Sequence, residues 1–460
     1  HKGKSFMRKL NNTVLRHTSK RLKKAYKWLL SVMVFCQHSS VYAATPTNEQ
    51  LYDYQNVMWV VIGGLLVFFM QAGFALIESG SVRSKNTVNV LMKNYTDMAI
   101  GGLIFYILGY GLMAGNNPTG YVGQSEFLPE QLSNMQWAHL FFQMMFASTA
   151  ATIASGAMAE RIKFSGYLIG TLMTCGLIYP VVASWAWGGY YGGQGWLAQL
   201  GFIDFAGSSV VHSVGGWLAL AGIIVLGPRI GRFAPDGTPR LIAGHNLTLV
   251  TLGGFILWLA WFGFNAGSTL TSSGNLGKIM LNTHLAGVSA VTAYLLISGV
   301  MRKAILLSDT VNISLAGLVA ITAGCATMSP VYAIVTGGGA CLAYLAVKRL
   351  LDNVQMDDAV YAVAVHVGGG VWGTLAAGLF YEGDLFSTHR IIVQMMGIGA
   401  MFVWSFGLGM VVYFVIEKTI GLRVLAQHEQ RGLDFTEHAE GAYPEFQDSL
   451  FSQQTLTERH

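Results

Sequence analysis

Apolar side chains in this chain fall into long runs separated by short polar connections. A helix needs about 20 apolar residues to cross a bilayer, and eleven runs reach that length. The pattern predicts an all-α polytopic membrane protein with eleven transmembrane helices. The expected spans are 56–78, 95–115, 136–159, 165–188, 203–226, 245–267, 279–301, 311–329, 331–350, 358–381 and 391–417.

Basic residues occur in every second connection, whereas the intervening loops, such as 116–130, contain almost none. By the positive-inside rule the basic loops are cytoplasmic. We therefore expect a protein of the cell (inner or plasma) membrane with its N-terminus outside and its C-terminus in the cytoplasm. The basic positions are Arg83, Lys85, Arg161, Lys163, Arg229, Arg232, Arg240, Arg302, Lys303, Lys348, Arg349, Lys418 and Arg423.

The composition excludes several classes of protein. Only 11% of the 460 residues are charged and 53% are hydrophobic, whereas soluble domains carry about 25% charge. A net charge of +5 is too small and scattered for a nucleic-acid surface. The four cysteines have no metal-ligand spacing. We expect no metal and no cofactor, and an interior whose polar groups are chiefly His212 and His366.

The two ends of the chain differ from its middle. Met7 precedes a basic stretch, an apolar stretch at 28–35 and small residues at 41–43, which together indicate a secretory signal peptide. An uncleaved amphipathic anchor is the alternative. The expected organisation is a leader at 1–43, of which 1–6 precede the native start, a transmembrane domain at 44–419 and a cytoplasmic tail at 420–460.

Two segments resemble each other. Asp204 precedes Val-His-Ser-Val-Gly-Gly by the same spacing with which Asp358 precedes Val-His-Val-Gly-Gly. The segments lie in the fifth and tenth spans, so each closes a five-helix unit. Because five is odd, the units have opposite orientations. This predicts two inverted five-helix repeats plus one extra helix, with the functional site at the repeat interface.

His212 and His366 occupy the matched position within apolar spans. Ionisable groups there are costly and indicate function. Two imidazoles in contact can share one proton, and a dry surrounding disfavours charging either ring. A histidine satisfied by neighbouring backbone is the alternative. Asp204 and Asp358 precede helices that they can cap, and for Asp204 we favour scaffolding over direct ligation of a cation.

Two aromatic clusters differ from ordinary core filling. Phe142 and Phe146 lie on one face of the third span, and residues 261–268 combine large rings, glycines and a hydroxyl in the sixth. Ring faces attract small cations, and a hydroxyl can accept an N–H hydrogen bond.

Three motifs, Phe-Gly-Phe-Asn-Ala-Gly-Ser at 262–268, Asp-Phe-Ala-Gly-Ser-Ser-Val-Val-His at 204–212 and Gly-Ala-Met-Ala-Glu-Arg at 156–161, resemble those of the ammonium transporter (Amt/Mep/Rh) family, closer to its Amt branch. The Gly-Leu-Asp at 432–434 resembles that family's tail. The resemblance implies one central pore per subunit of a homotrimer, and a tail that a PII-type protein could bind.

The resemblance also implies roles for individual residues. Ammonium is held at an outer recruitment site, a Phe gate follows, and the paired histidines lie below it. Asp204 corresponds to an acidic residue beside the recruitment site. The implied recruitment residues are Phe142, Phe146, Trp187 and Ser268, and the implied gate and pore residues are Phe146, Phe264, His212, His366, Trp261 and Thr322.

The expected function is transport of ammonium or ammonia, with methylammonium as an analogue, membrane lipid as the surroundings and no nucleic-acid partner. An ammonium sensor that signals through its tail is the alternative. An enzyme of the membrane interior is not expected, because the sequence offers no nucleophile-base motif beyond the histidine pair.

Overall fold

The computed structural model describes residues 23–24, 27, 46–272 and 274–446. Most of the leader and the last part of the tail lie outside the described residues, so the signal-peptide prediction remains a prediction. The chain divides into the units His1–Asp53 and Tyr54–His460. In the first unit, Thr47 caps a helix through a hydrogen bond of 3.2 Å from the Gln50 amide to its hydroxyl.

Helices make up the regular structure of the described chain, which contains isolated β-bridges but no extended strand. We number the longer helices and the two tail helices in chain order. They are α1 Asn48–Ser81, α2 Ser84–Ala114, α3 Asn134–Ala157, α4 Phe164–Trp187, α5 Ser208–Leu226, α6 Leu247–Gly267, α7 Leu276–Val300, α8 Leu307–Ile321, α9 Pro330–Asn353, α10 Ala364–Gly368 with Gly369–Leu379, α11 Thr388–Thr419, α12 Ala426–Arg431 and α13 Leu433–His438.

Nine helices in the described part of the chain have the length and apolar composition needed to cross a membrane. The other two expected spans, 311–329 and 358–381, coincide with the shorter α8 and α10. The helix α8 ends at Ile321 because the carbonyls beyond it have other partners. Thr322 and Ala323 accept from the amides of Ala206 and Phe205, respectively, which satisfies a helix end. The count of eleven spans remains a prediction.

The helices α5 and α10 begin in the same unusual way. Each opens with a π-helical stretch, Ser208–Ser213 and Ala364–Gly368, and each stretch contains one of the two buried histidines. Such stretches are rare and are frequent at functional sites. The spacing match in the sequence therefore corresponds to a match in backbone conformation, which supports the predicted repeat.

A buried ion network joins the connections that follow α1, α3, α5 and α9. Arg229 lies at its centre, 3.0 Å from a Glu160 carboxylate oxygen and 2.7 Å from one of Asp357. Arg83 contacts Glu160 at 2.8 Å and Arg232 contacts Asp357 at 3.3 Å. These loops thus lie on one side of the bundle, as their shared basic character predicts.

The charge state of this network follows from opposing effects. Burial alone would raise the pKa of Asp357 and of Glu160, but the hydrogen bonds and positive charge of Arg229, helped by Arg83 at Glu160, hold both pKa values below their ordinary range. A depressed carboxyl pKa stabilises the fold above the unfolded-state value of about 4 and loses that effect as the pH falls. At neutral pH both carboxylates are charged and the network is complete.

The tail packs onto the same side. The Leu433 amide donates to the Asn86 side chain at 2.9 Å, and the Asn89 amide donates to the Asp434 carboxylate at 2.8 Å. The carboxylate of Glu429 accepts from the Ile230 amide at 2.6 Å. Helices α12 and α13 are therefore fixed to the first turns of α2 and to the connection after α5.

We predict that Arg229→Met destabilises the protein by about 3–5 kcal/mol, because it removes the central cation that the buried carboxylates of Glu160 and Asp357 share. Arg390→Met is the matched control, since Arg390 pairs with a half-exposed Asp384 at 2.8 Å and such pairs contribute about 0–1 kcal/mol. The measurement is the midpoint of thermal unfolding in detergent. Equal midpoints for the two variants would contradict the importance of the buried network.

Candidate functional site

A cavity of about 330 Å³ opens at the end of the bundle opposite the ion network. All four residues expected at a recruitment site line it, and we call it the mouth cavity. Its lining comprises His139, Phe142, Gln143, Phe146, Trp187, Gly188, Gly189, Tyr190, Phe205, Ser268 and Leu270.

Three aromatic rings form the floor and wall of the mouth cavity. The ring centroids of Phe142 and Phe146 are 4.6 Å apart, and those of Phe146 and Trp187 are 6.2 Å apart. The half-buried Ser268 donates its hydroxyl proton to the Phe264 carbonyl at 2.8 Å. Because that proton is used, the lone pairs of the Ser268 oxygen remain available to accept a hydrogen bond from a ligand.

Phe146 and Phe264 separate the mouth cavity from the histidines. Their rings stack at 4.1 Å between centroids with an interplanar angle of 15°, and both side chains are buried. The far side of Phe264 faces His212, with 5.3 Å between the ring centroids. The two stacked phenyl rings therefore lie between the mouth cavity and the imidazole of His212.

The two histidines are in direct contact. Their Nδ1 atoms lie 3.2 Å apart, and the ring planes are inclined by 20°. One Nδ1 must donate and the other accept, so the pair holds one shared proton between two neutral rings. The Nε2 atom of His212 is buried and has no hydrogen-bond partner among the described residues. It is therefore free to bond to a molecule in the passage.

Trp261 and Thr322 hold the wall beside His212. The indole of Trp261 stacks near the imidazole with 5.0 Å between centroids, and its N–H donates to the Thr322 hydroxyl at 2.9 Å. Thr322 in turn donates to the Leu318 carbonyl at 2.7 Å. Trp261 therefore contacts the imidazole of His212, and Thr322 lies behind Trp261.

Asp204 caps the π-helical stretch that carries His212. Its carboxylate accepts from the amides of Gly207 at 2.9 Å, Ser209 at 2.9 Å and Val210 at 2.8 Å. Its own carbonyl accepts from the Trp187 indole at 2.7 Å. Asp204 therefore connects the mouth to the histidine segment through backbone geometry, in agreement with a scaffolding function.

The two histidine segments pack against each other reciprocally through glycines. A Cβ atom at Gly216 would lie 3.0 Å from the amide nitrogen of Val367, which follows His366. A Cβ atom at Gly370 would lie 3.3 Å from the amide nitrogen of Ser213, which follows His212. Each glycine is four residues after its own histidine. Two segments related by a two-fold axis would make such reciprocal contacts, so the contacts support the predicted repeat.

Three further polar residues of the mouth cavity, His139, Gln143 and Tyr190, were not predicted as site residues from the sequence. His139 stacks on Tyr190 with 3.9 Å between centroids and 2° between planes, and Gln143 lies beside it, 3.4 Å from its Nε2. A signal was present, because positions 139, 142, 143 and 146 form one helical face. Tyr190 gave no such signal, since it lies in the connection after α4.

The expectation that the polar interior consists chiefly of His212 and His366 is wrong. Glu78, Lys93 and Asp97 are buried between α1, α2 and α3. Lys93 donates to the Ser155 carbonyl at 2.9 Å, and the Ser155 hydroxyl donates to Glu78 at 2.8 Å. The first expected span ended at Glu78, and the second began after Lys93 and contained Asp97. The observed helices α1 and α2 continue through all three positions, because the charges have polar partners.

A smaller cavity follows His366 on the side away from the mouth. Its volume is about 30 Å³, and Phe74, Glu78, Asn312, Val360 and His366 are among its lining residues. We call it the far cavity. The mouth cavity, the phenyl pair, the histidine pair and the far cavity therefore follow one another in this order.

No group of three or more metal-ligating side chains occurs in the described part of the chain. Cys175, Cys325 and Cys341 are buried and unpaired by disulfides, and Cys36 lies outside the described residues. The expectation of no metal or cofactor remains a prediction.

The fold and the site together define an α-helical multi-pass membrane protein in which aromatic and imidazole rings form a buried row. The profile of the Ammonium Transporter Family matches residues 58–443. Ammonium transporter Amt2 of Archaeoglobus fulgidus is 41% identical over 417 residues, covering 85% of this chain and 88% of that protein. Ammonium transporter 3 of Dictyostelium discoideum is 34% identical, covering 89% of this chain and 99% of its own length. The chain belongs to the ammonium transporter family.

Solved structures agree with this assignment. A protein described as Sensor Amt Protein superposes with a TM-score of 0.82 at 41% identity, covering 85% of this chain and 100% of that one. The crystal structure of Candida albicans Mep2 has a TM-score of 0.76 at 25% identity, covering 88% and 93%.

We predict that Gly370→Ala destabilises the protein by about 1–3 kcal/mol, the usual cost of overpacking, because its Cβ atom would lie 2.5 Å from the Ser208 carbonyl oxygen. Gly399→Ala on α11 is the matched control, since nothing lies within 4 Å of its added Cβ. Thermal unfolding midpoints in detergent distinguish the two. A Gly370→Ala midpoint as high as that of Gly399→Ala would show that the contact is not tight.

Proposed function

We propose that the protein transports ammonium, and that the passage runs from the mouth cavity through the phenyl and histidine pairs. The observation that carries this proposal is the contact of 3.2 Å between His212 and His366, directly below the stacked Phe146 and Phe264. A shared-proton imidazole pair in an otherwise apolar passage suits a small molecule that can both donate and accept hydrogen bonds.

Recruitment occurs at the mouth cavity, on the outer side. An ammonium ion there is stabilised by the ring faces of Phe142, Phe146 and Trp187, at about 0.5–2 kcal/mol per cation–π contact. The Ser268 oxygen accepts one of its N–H bonds. Together these contacts replace part of the hydration that the ion loses.

The ion loses its proton at the mouth, and ammonia crosses the phenyl gate. Neutral ammonia then bonds to the Nε2 atoms of His212 and His366, since the two Nδ1 atoms bond to each other. The Nε2 of His212, which has no partner among the described residues, is suited to this contact. Passage of the ion itself is opposed, because an ion in an apolar channel lacks the hydration or pairing that would stabilise it.

Selectivity against potassium follows from the same chemistry. Potassium is similar in size to ammonium, but it has no hydrogen to donate to Ser268 and no proton to lose. It therefore stays charged at the phenyl gate, where the apolar wall rejects it.

The architecture we propose includes eleven spans, two inverted five-helix repeats, an outer N-terminus and an inner tail in the plasma membrane. We further propose a homotrimer with one pore in each subunit, and a tail that a PII-type protein can bind. The protein is a transporter and not an enzyme.

An ammonium sensor is the second candidate. It is favoured by one comparison, because the protein described as Sensor Amt Protein covers 85% of this chain at 41% identity. A sensor would bind ammonium at the mouth cavity and act through its tail without useful flux. Measured flux in reconstituted membranes separates the two functions.

We expect His212→Ala and His366→Ala each to lower methylammonium uptake and ammonium-evoked current by at least about tenfold, since groups that handle protons contribute roughly 10²–10⁴-fold. The measurement uses proteoliposomes with a potassium competitor to report selectivity. His389→Ala, an exposed histidine at the start of α11, is the matched control. Unchanged flux and unchanged selectivity in both pore variants would refute the histidine mechanism.

We expect Ser268→Leu to raise the ammonium concentration for half-maximal uptake roughly tenfold or more, because a hydrogen bond to a charged group contributes about 1.5–3 kcal/mol. Uptake at saturating ammonium is expected to fall less. Ser268→Thr retains the hydroxyl and serves as the control. If Ser268→Leu took up ammonium normally at low concentrations, the serine would not belong to the recruitment site.

A further inference from the structure

Glu78 differs from the other two charges in its cluster. Both Asp97 oxygens are occupied, since Thr171 donates to one at 2.8 Å and Thr152 to the other at 3.1 Å. Lys93 donates to the Ser155 carbonyl and lies over the Tyr167 ring. The hydrogen bonds that Glu78 accepts, from Ser155 at 2.8 Å and Asn94 at 3.2 Å, both go to Oε2.

The carboxylate of Glu78 also lines the far cavity with His366. Phe74, one turn earlier on α1, has its ring centroid 6.3 Å from that of His366, and residues four apart share a helix face. Glu78 is therefore the next side chain along the same face. Its Oε1 accepts no hydrogen bond from the described residues and is available to a molecule in the cavity that Glu78 lines.

The far cavity accommodates one small molecule. Its volume of about 30 Å³ exceeds the roughly 10–15 Å³ that a cavity needs to hold a water molecule, and ammonia is similar in size to water. Gly156 keeps this space open, because a Cβ atom there would lie 3.3 Å from the Glu78 Cδ and 2.6 Å from a Val360 methyl. Among the lining residues, Glu78, Asn312 and His366 carry the polar groups.

From this placement we infer that the far cavity is a binding site for a single ammonia molecule, and that Glu78 returns the proton to it. The inference rests on the proposed transport function, and it requires that each transport event move one positive charge across the membrane. The proton released by ammonium at the mouth moves through His212 and His366 to the Glu78 carboxylate. Ammonia that arrives in the far cavity takes this proton from the carboxylic acid, which restores ammonium and the carboxylate.

The balance is one ammonium ion consumed at the mouth and one formed at the far cavity, with no other reactant. The other ionisable groups near Glu78 are Lys93 and Asp97 of the same cluster on α2 and Tyr167 on α4, which donates to Asp97. His366 on α10 lines the far cavity. Lys93 is linked to Glu78 through Ser155, so its positive charge helps to stabilise the carboxylate between proton transfers.

The test compares wild type with Glu78→Gln and Glu78→Asp in proteoliposomes. Two quantities are measured, the ammonium-evoked current on a supported membrane and the internal alkalinisation caused by ammonia, each above empty vesicles. We expect Glu78→Gln to lower the current about tenfold or more while ammonia entry remains. Glu78→Asp retains an acid and is expected to keep part of the current. Glu382→Gln, an exposed carboxylate paired with Lys278, is the control.

The outcomes separate this inference from the proposed function. If wild type shows neither uptake nor current, transport itself is wrong. If it shows uptake without current, or if Glu78→Gln keeps the full current, transport stands and the Glu78 relay is refuted. Loss of ammonia entry together with current in a folded Glu78→Gln would also refute the relay, since the carboxylate would then be needed for ammonia itself.

Folding of the Gln variant is checked by its thermal unfolding midpoint. Should that variant not fold, infrared difference spectra of wild type decide, recorded on addition of ammonium. An ammonium-induced carboxyl C=O band that shifts in Glu78→Asp supports the relay. The absence of any such band in wild type overturns it.

Discussion

The contact between the two imidazole Nδ1 atoms, 3.2 Å long and fully enclosed, is the constraint on which the rest of the structure depends. A shared hydrogen bond of this kind requires two backbone segments to approach closely and to hold both rings nearly parallel. Inside an apolar bundle neither imidazole has bulk water as an alternative hydrogen-bond partner. The surrounding structure therefore has to fix both rings from behind.

Two features hold the imidazole rings in place, an aspartate cap and a glycine contact, and each occurs once in each histidine segment. Asp204 binds three amides ahead of His212, and Asp358 binds the Val363 amide at 2.6 Å ahead of His366. Each cap is followed by a π-helical stretch, which widens the helix locally and turns the histidine toward its partner. Gly216 and Gly370 then let the segments meet at backbone distance. The imidazole pair is thus a consequence of matched caps and matched glycines.

The parts of this arrangement that are local in sequence could be predicted. The equal spacing from Asp204 to His212 and from Asp358 to His366 reflects a cap and its helix, and the ring face of Phe142 and Phe146 follows from helical periodicity. Parts that depend on tertiary contacts could not be predicted. The stacking of His139 on Tyr190 joins a helix to a distant loop, and the early end of α8 depends on amides supplied by residues 205 and 206.

The buried charges were missed for a different physical reason. An apolar run was expected to stop at Glu78 and to start after Lys93, because an isolated charge in lipid is costly. That cost applies to an unpaired group, whereas Ser155 accepts from Lys93 through its carbonyl and donates to Glu78 through its hydroxyl. One serine thus satisfies parts of two opposite charges.

This satisfied cluster changes the physical description of the passage. A wholly apolar path would exclude every ion, but it would offer no acceptor for the proton that an arriving ammonium ion releases. The polar cluster lies next to the far cavity, on the side of the histidine pair that is away from Phe146 and Phe264. A carboxylate placed there can receive a proton without admitting a hydrated cation, because the phenyl pair and the imidazole pair both lie between it and the mouth. One pore can therefore both reject hydrated cations and pass a proton, provided that its charged side chains lie beside the far cavity and not among the apolar rings of the phenyl pair.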